Sequence, residues 1–307
     1  MHPAARAMDV FYSDPFTFPL PEGHRFPLAK YRMLRERVQQ LPASSGAVLH
    51  LAPRASRDEL LAVHTAEYLD AFAHNTLPPL AMQRIGFPWS PELVERSLRS
   101  CGGTLAATRS ALRDGASIYL AGGTHHARAD RGAGYCVYND CAAGARLAQR
   151  ELGVRTVLVV DTDVHQGDGT AAIFRGDPSV FTFSIHGAEN FPGQKEQSDL
   201  DLALPSGTGD DTYLQALARG LDESFARCTP QLVYHLAGAD PFRGDRLGRL
   251  ALTKEGLAQR DRMVLAACAR RCLPVVTVMG GGYGRDITDT VDVYFHTVTE
   301  ALAHGRA

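Results

Sequence analysis

The chain has 307 residues, of which 45% are hydrophobic and 21% are charged, a composition typical of globular proteins. No Pro/Gly/Ser-rich linker or charge run divides it, so we predict one domain over residues 1–307 rather than two smaller ones. The formal net charge of -2 provides no general attraction to nucleic acid or to anionic membranes. We therefore expect no direct nucleic-acid partner.

Targeting signals and disulfides are not expected either. Residues 1–10 lack a basic segment followed by an apolar core, and the longest apolar runs, such as 157–160, are too short to cross a bilayer. The six cysteines include no CxxC pair, which favours buried thiols in a reducing compartment. We expect a cytoplasmic protein with no membrane partner.

The hydrophobic pattern changes along the chain. In the first hundred residues it predicts helices at 28–41, 56–61 and 67–72, with irregular stretches at 14–21 and 86–89. Further on, strands alternate with helices. The predicted strands are 117–120, 156–160, 180–184, 232–236 and 275–278, and the predicted helices are 103–112, 140–152, 211–227 and 254–271. The strands are apolar on both faces, which predicts an α/β fold with a mostly parallel sheet flanked by helices.

Polar, glycine-flanked residues follow all five predicted strands. They occupy residues 122–126, 161–165, 185–186, 237–240 and 280–283. The carboxyl ends of the strands of an open α/β sheet are where ligands bind. The sequence therefore predicts a functional site at this edge of the sheet.

The segment after the second of these strands suggests a metal site. Asp161, Asp163 and His165 alternate, so they project to the same side of an extended chain. Carboxylate and imidazole together suit zinc, and catalytic zinc characteristically has three protein ligands plus an open position, so Asp240 is a candidate third ligand. The alternative is that Asp163 and His165 only cap a turn. Because Asp240 follows another strand, we favour the metal interpretation.

The adjacent pair His125–His126 is a candidate for proton transfer. Imidazoles titrate near physiological pH and can carry protons to and from a metal-bound water. Each imidazole needs a partner that holds one ring nitrogen, and Asp161 and Asp168 are candidates.

Five successive segments resemble, in the same order, motifs of histone deacetylases and acetylpolyamine amidohydrolases: GGTHHARADRGAGYCVYND, VLVVDTDVHQGDGT, SIHGAENFPG, HLAGADPFRGDRLGRLALT and MGGGYGRD. Two upstream segments, HRFPLAKYRMLRERV and GGTLAATRSAL, also resemble the family. Gln166 stands where most members have a second histidine, and this step and GDRLGRL are most similar to class IV deacetylases and their bacterial relatives. The resemblance implies a three-layer arginase/deacetylase-like fold.

The resemblance also implies a reaction. It is the zinc-dependent hydrolysis of an N-acyl amide, acetyl or longer, with acyl-lysine proteins and peptides or acylated small amines as substrates. By matching position, the zinc ligands are Asp163, His165 and Asp240. His126 is the general base and then the general acid, and His125 is its electrostatic partner.

Further roles are implied in the same way. Asp161 supports His125, Asp168 supports His126, and Tyr283 donates a hydrogen bond to the substrate carbonyl. Asp161 and Ser184, with nearby backbone carbonyls, match the family's structural potassium site. The acyl-lysine channel is predicted to contain Gly134 and Tyr135, with Phe87 or Trp89 at its rim.

Other functions remain open at this point. An acetylpolyamine or small-metabolite amidohydrolase needs the same residues, so the physiological substrate and the acyl length are not decided. A two-metal ureohydrolase such as arginase needs more carboxylates than the Gly-Ala-Asp240-Pro segment offers. A non-catalytic binding module with a degenerate site implies missing chemistry, and no expected group is missing.

Overall fold

A computed structural model describes residues 7–304, and its strands form one eight-stranded sheet. The strands are β1 Met8–Tyr12, β2 Ala47–Leu51, β3 Ala116–Tyr119, β4 Val157–Asp161, β5 Val180–Gly187, β6 Leu200–Leu204, β7 Leu232–Ala237 and β8 Val275–Met279. Their order is β2-β1-β3-β8-β7-β4-β5-β6, and every neighbouring pair is parallel. The predicted α/β class with a parallel sheet is confirmed.

Ten α-helices connect and cover the strands of the described region. They are α1 Ala29–Gln39, α2 Arg57–Leu61, α3 Ala66–Ala73, α4 Pro79–Ile85, α5 Pro91–Asp114, α6 Asp140–Glu151, α7 Asp168–Phe174, α8 Asp210–Arg227, α9 Lys254–Ala269 and α10 Ile287–His304. Among residues 7–304, no helix has both the length and the apolar character needed to cross a membrane. All six cysteines are free thiols, and five of them are buried.

Alternate residues of each central strand face opposite sides of the sheet. In β4, Leu158 and Val160 belong to a core with α1, α8, α9 and α10, whereas Val157 and Val159 belong to a core with α3, α5 and α6. This arrangement gives the predicted three layers: helices, sheet, helices.

The predicted elements are confirmed, but the sequence pattern missed several others. The predicted helix 103–112 is the second half of α5, which begins after Ser90, whose side chain accepts a hydrogen bond from the backbone N–H of Leu93. The missed elements are β1, β2, β6, α4, α7 and α10. Helix α10 is rich in threonine and valine, which have low helix propensity, so its packing on α9 and α1 rather than its composition stabilises it. The sequence predicts no targeting signal in residues 1–10, and residues 1–6 of that segment lie outside the described region.

The loop between β3 and α6 is held by one buried carboxylate. Asp140, in the first turn of α6, accepts hydrogen bonds from the backbone N–H groups of Gly123 at 3.0 Å and Thr124 at 2.8 Å. Its oxygens also accept hydrogen bonds from the hydroxyls of Thr124 at 2.6 Å and Thr104 at 2.5 Å. Asp140 thereby fixes the backbone immediately before the His125–His126 pair.

Replacing Asp140 with alanine is expected to lower the free energy of unfolding by roughly 3–4 kcal/mol, because it leaves several buried donors without an acceptor. Urea denaturation of the wild type and the variant measures this. Asp222→Ala, at an exposed position of α8, is the matched control and should change stability by less than about 0.5 kcal/mol. A loss below about 1 kcal/mol for Asp140→Ala would show that the loop does not depend on this carboxylate.

Candidate active site

Three side chains of types that can bind a metal meet at the carboxyl edge of the sheet. Strands β4 and β7 are neighbours, with Asp161 opposite Leu236, so the segments that follow them lie side by side. Asp163 and His165 come from the segment after β4, and Asp240 comes from the segment after β7. One potential ligand atom from each lies within 4.8 Å of the other two, and all three residues are buried.

The donor atoms point toward a common centre. His165 Nδ1 is 3.0 Å from Asp163 Oδ1 and 3.1 Å from Asp240 Oδ2. Asp240 Oδ2 is buried and accepts no hydrogen bond in the described part of the chain. Burial and the neighbouring Asp163 raise the pKa of Asp240 to about 7, and although burial disfavours protonation of His165, the two carboxylates raise its pKa to about 10. The cluster therefore attracts positive charge.

The backbone around the cluster leaves room for an ion. A Cβ atom at Gly281 would lie 1.9 Å from Asp240 Oδ2 and 2.9 Å from Asp163 Oδ2, so a side chain there would fill the space between the carboxylates. The remaining carboxylate oxygens are held by backbone N–H groups: Gly281 donates to Asp163 Oδ2 at 2.5 Å and Val164 to Asp240 Oδ1 at 3.0 Å. Two carboxylates and one imidazole held in this way fit a divalent metal ion.

The two predicted proton carriers lie beside this cluster, each bound to its predicted carboxylate. His125 Nδ1 is 2.6 Å from Asp161 Oδ2, and His126 Nδ1 is 2.7 Å from Asp168 Oδ1. Arg128 donates a further hydrogen bond to Asp168 at 3.1 Å. Because each carboxylate accepts a hydrogen bond from the Nδ1–H group, the Nε2 of a neutral ring is left as the acceptor.

The surroundings give the two imidazoles different affinities for a proton. Burial and the nearby His125 lower the pKa of His126 to about 4. Burial also disfavours protonation of His125, but the Asp161 and Asp163 carboxylates outweigh it and raise its pKa to about 9. At neutral pH, His126 is thus a neutral acceptor beside a positively charged His125. Residues whose pKa values are pushed apart in this way are suited to separate acid–base roles.

Tyr283 lies opposite the histidines, at the end of the glycine segment that follows β8. It is buried and lines the cleft, yet its phenol O–H makes no hydrogen bond within residues 7–304. Its backbone is fixed by Asp245, which accepts a hydrogen bond from the Tyr283 N–H at 2.6 Å. Burial holds the pKa of the phenol well above its usual range, so the group remains a proton donor.

Two further residues fix the glycine segment before Tyr283, and the sequence pattern did not single them out. The fully buried Lys30 of α1 donates hydrogen bonds to the Gly282 carbonyl at 3.0 Å and to the Tyr294 hydroxyl at 3.1 Å. Tyr294 in turn donates to the Gly280 carbonyl at 2.6 Å. Lys30 and Tyr294 lie on the buried faces of α1 and α10. The signal that the sequence offers is the charge of Lys30 on the otherwise apolar face of α1.

A cleft of about 390 Å³ leads from the protein surface to His126, His165 and Tyr283. Tyr135 forms one wall, next to Gly134, where a Cβ atom would lie 2.6 Å from the His126 ring. Phe191, which the sequence pattern did not indicate, is 47% exposed and packs edge-on against His126 with ring centroids 4.9 Å apart.

The structure places the two predicted rim residues elsewhere. Phe87 is buried behind Tyr135, against Phe18 and Phe26, because the chain turns inward after Gly86 with a positive φ of 85°. Trp89 donates its indole N–H to the Phe72 carbonyl at 2.7 Å and is not among the residues that line the cleft. The mouth is formed instead by side chains that include Arg84, Glu189, Phe191 and Arg249.

The two side chains predicted to bind potassium are also neighbours. Asp161 of β4 lies opposite Ser184 of β5 in the sheet register. The Ser184 hydroxyl is 2.9 Å from His186 Nδ1, and Asp161 accepts a hydrogen bond from the Asp163 N–H at 3.1 Å. The geometry brings the two residues together, and potassium itself stays a prediction.

Comparisons with known proteins agree on one family. Residues 24–298 match the Histone deacetylase domain. An uncharacterized protein of Picosynechococcus sp. is 44% identical over 294 residues, covering 96% of this chain and 97% of the relative. The Histone deacetylase-like amidohydrolase of Pseudomonas aeruginosa is 30% identical over 282 residues, covering 86% and 74%.

A solved structure agrees on the fold. An HDAC homolog from Aquifex aeolicus superposes with a TM-score of 0.83 at 22% identity, covering 97% of this chain and 85% of that one. The fold, the matched domain and the relatives agree with one another. The chain belongs to the histone deacetylase family.

Proposed function

We propose that this protein is a zinc-dependent deacylase that hydrolyses an N-acyl amide, acetyl or longer, with the acyl-lysine side chains of proteins or peptides as substrates. The observation that carries the proposal is the buried Asp163–His165–Asp240 cluster at the base of a cleft, facing a neutral His126 and the free phenol of Tyr283. The name of the Pseudomonas relative, an amidohydrolase, supports the same reaction class.

Zinc suits this donor set, because it accepts imidazole and carboxylate ligands and leaves a position open at catalytic sites. Bound there, it would polarise the acyl carbonyl and lower the pKa of a water molecule. We further propose that Asp161 and Ser184 take part in binding a structural potassium ion. Free cysteines support a cytoplasmic location.

The side chains of the protein divide the proton transfers between them. His126, held by Asp168, accepts a proton at Nε2 as water attacks the carbonyl and then delivers a proton to the leaving amine. His125 stays charged through its contact with Asp161 and provides a fixed positive charge nearby. Tyr283 donates a hydrogen bond to the carbonyl oxygen as negative charge develops on it.

The alternatives fit the site less well. A two-metal ureohydrolase needs a second set of ligands, and within residues 7–304 one group of three or more candidate ligands is found. A binding module without catalysis would not need the His126–Asp168 contact or an unbonded phenol above the cluster. An acylated small amine would use the same catalytic residues, so these residues do not distinguish it from an acyl-lysine peptide. The charge at the cleft mouth is what can distinguish the two substrates.

Replacing Asp240 with alanine is expected to abolish tight zinc binding, because it removes one of three ligands and leaves an open site. Metal content after dialysis should fall from about one ion per chain to near zero, and circular dichroism should remain that of a folded chain. Asp222→Ala on the surface of α8 is the matched control and should keep its metal. Full metal occupancy in Asp240→Ala would contradict the ligand assignment.

Replacing His126 with alanine is expected to cost more activity than replacing His125. His126 is assigned both proton transfers, and such a group contributes about 10²- to 10⁴-fold to the rate. Steady-state turnover of an acetyl-lysine peptide by the two zinc-loaded variants measures the ranking. Equal losses, or a larger loss for His125→Ala, would require the two roles to be exchanged.

Replacing Tyr283 with phenylalanine is expected to lower kcat by roughly 10²- to 10³-fold with little change in substrate affinity, because the phenol acts mainly as the oxyanion forms. Zinc should remain bound, since Tyr283 is not a ligand. The measurements are kcat, peptide Kd and metal content on one preparation. A decrease of less than about tenfold with metal retained would exclude Tyr283 as the oxyanion donor.

A further inference from the structure

The mouth of the cleft carries more positive than negative charge. Among the charged side chains that line the cleft outside the catalytic group are Arg84, Arg249 and Glu189. All three are exposed, so they face an incoming substrate. This local pattern differs from that of the whole chain, whose formal net charge is -2.

Three more basic side chains lie close to the same opening. Arg246 donates a hydrogen bond from Nε to the Tyr283 carbonyl at 3.1 Å. The exposed Arg25 lies between His24 and Phe26, whose rings pack against the Tyr135 ring of the channel wall with centroids 5.9 and 5.2 Å apart. Lys195 donates a hydrogen bond to the Pro192 carbonyl at 2.7 Å, on the loop that carries Phe191.

Among residues 7–304, Glu189 is the acidic side chain that lines the mouth, and it is already engaged. Glu189 accepts a hydrogen bond from the Ser206 hydroxyl at 2.6 Å and lies 3.4 Å from Arg249. Two carboxylates deeper in the cleft are also paired, Asp168 with Arg128 and Asp161 with His125. Within the described residues, Arg84 has no acidic partner. The excess positive charge at the mouth is therefore directed at solvent and at the substrate.

We propose that the cleft selects acylated amines that carry carboxylate groups close to the acylated nitrogen, such as acyl-lysine in an acidic peptide, and that it disfavours polycations. This inference rests on the proposed deacylase function and specifies its substrate class. A lysine-rich tail or an acylated polyamine would bring further positive charges next to Arg84, Arg246 and Arg249. Like charges at a binding surface suppress such partners and slow their association.

The test uses the zinc-loaded full chain and three short peptides that share a central Nε-acetyl-lysine. The flanking residues are aspartate in one peptide, alanine in the second and lysine in the third, and a mono-N-acetylated polyamine is the fourth substrate. The readouts are kcat/KM for each substrate and the Kd of each peptide for the zinc-loaded Tyr283→Phe protein. The ratio of the aspartate to the lysine peptide is compared at low salt and at roughly 0.5 M salt, where exposed charges are screened.

The wild type should favour the aspartate peptide over the lysine peptide by about tenfold or more at low salt, with the polyamine the poorest substrate, and high salt should reduce the ratio. Arg84→Glu and Arg249→Glu should each lower the ratio, because the reversed charge repels the aspartate peptide and attracts the lysine peptide. The decrease should be limited to roughly threefold to tenfold, since a single exposed charge pair contributes little. Arg150→Glu is the matched control. Arg150 is exposed in the last turn of α6, at the amino edge of the sheet and away from the cleft, so the peptide ratio of this variant should equal that of the wild type.

The outcomes separate this inference from the proposed function. Turnover of all three peptides with a ratio near or below one would overturn the inference and leave the deacylase function standing. No turnover of any substrate would overturn the deacylase function, and the Kd ratio would still decide the inference: tighter binding of the aspartate peptide supports it, and equal or weaker binding contradicts it.

Discussion

The burial of two like charges side by side is the constraint on which the rest of the site depends. Asp163 and Asp240 lie with His165 at the centre of the sheet edge, and all three side chains are buried. Such a pair of carboxylates is costly unless a positive charge compensates it. A divalent cation coordinated by both carboxylates would remove that cost, so binding of such an ion would stabilise the folded chain.

Much of the surrounding structure holds this pair in place. The parallel pairing of β4 with β7 brings the two ligand segments together, and the glycines after β8 leave the space between the carboxylates open. Lys30 and Asp245 then fix the position of Tyr283 from outside the cluster. Burial and the same negative charges also separate the pKa values of the two histidines. His125 lies near the carboxylates, which raise its pKa, whereas His126 lies beside the charged His125, which lowers its pKa.

Sequence reasoning recovered the parts of the molecule that depend on local pattern. Strands buried on both faces form uninterrupted apolar runs, and polar residues directly after them mark the edge of the sheet. The strands β4 and β7 and the clustering of Asp163, His165 and Asp240 were therefore predictable. Lys30 and Asp245 were not, because their roles arise from contacts 252 and 38 residues away along the chain. The position of Phe87 depended on a left-handed turn at Gly86. Strand β1 was missed because Asp9 interrupts its apolar run, so it does not show the uninterrupted apolar pattern of the central strands.

The most direct test of this account is a zinc titration of the metal-free chain, with hydrolysis of an acetyl-lysine peptide as the readout. The account predicts no turnover without metal, a linear rise in rate, and a plateau at about one zinc per chain, since three ligands form one catalytic site. A plateau at two ions per chain would favour a two-metal hydrolase. Full activity in the rigorously metal-free protein would contradict the central role assigned to Asp163, His165 and Asp240.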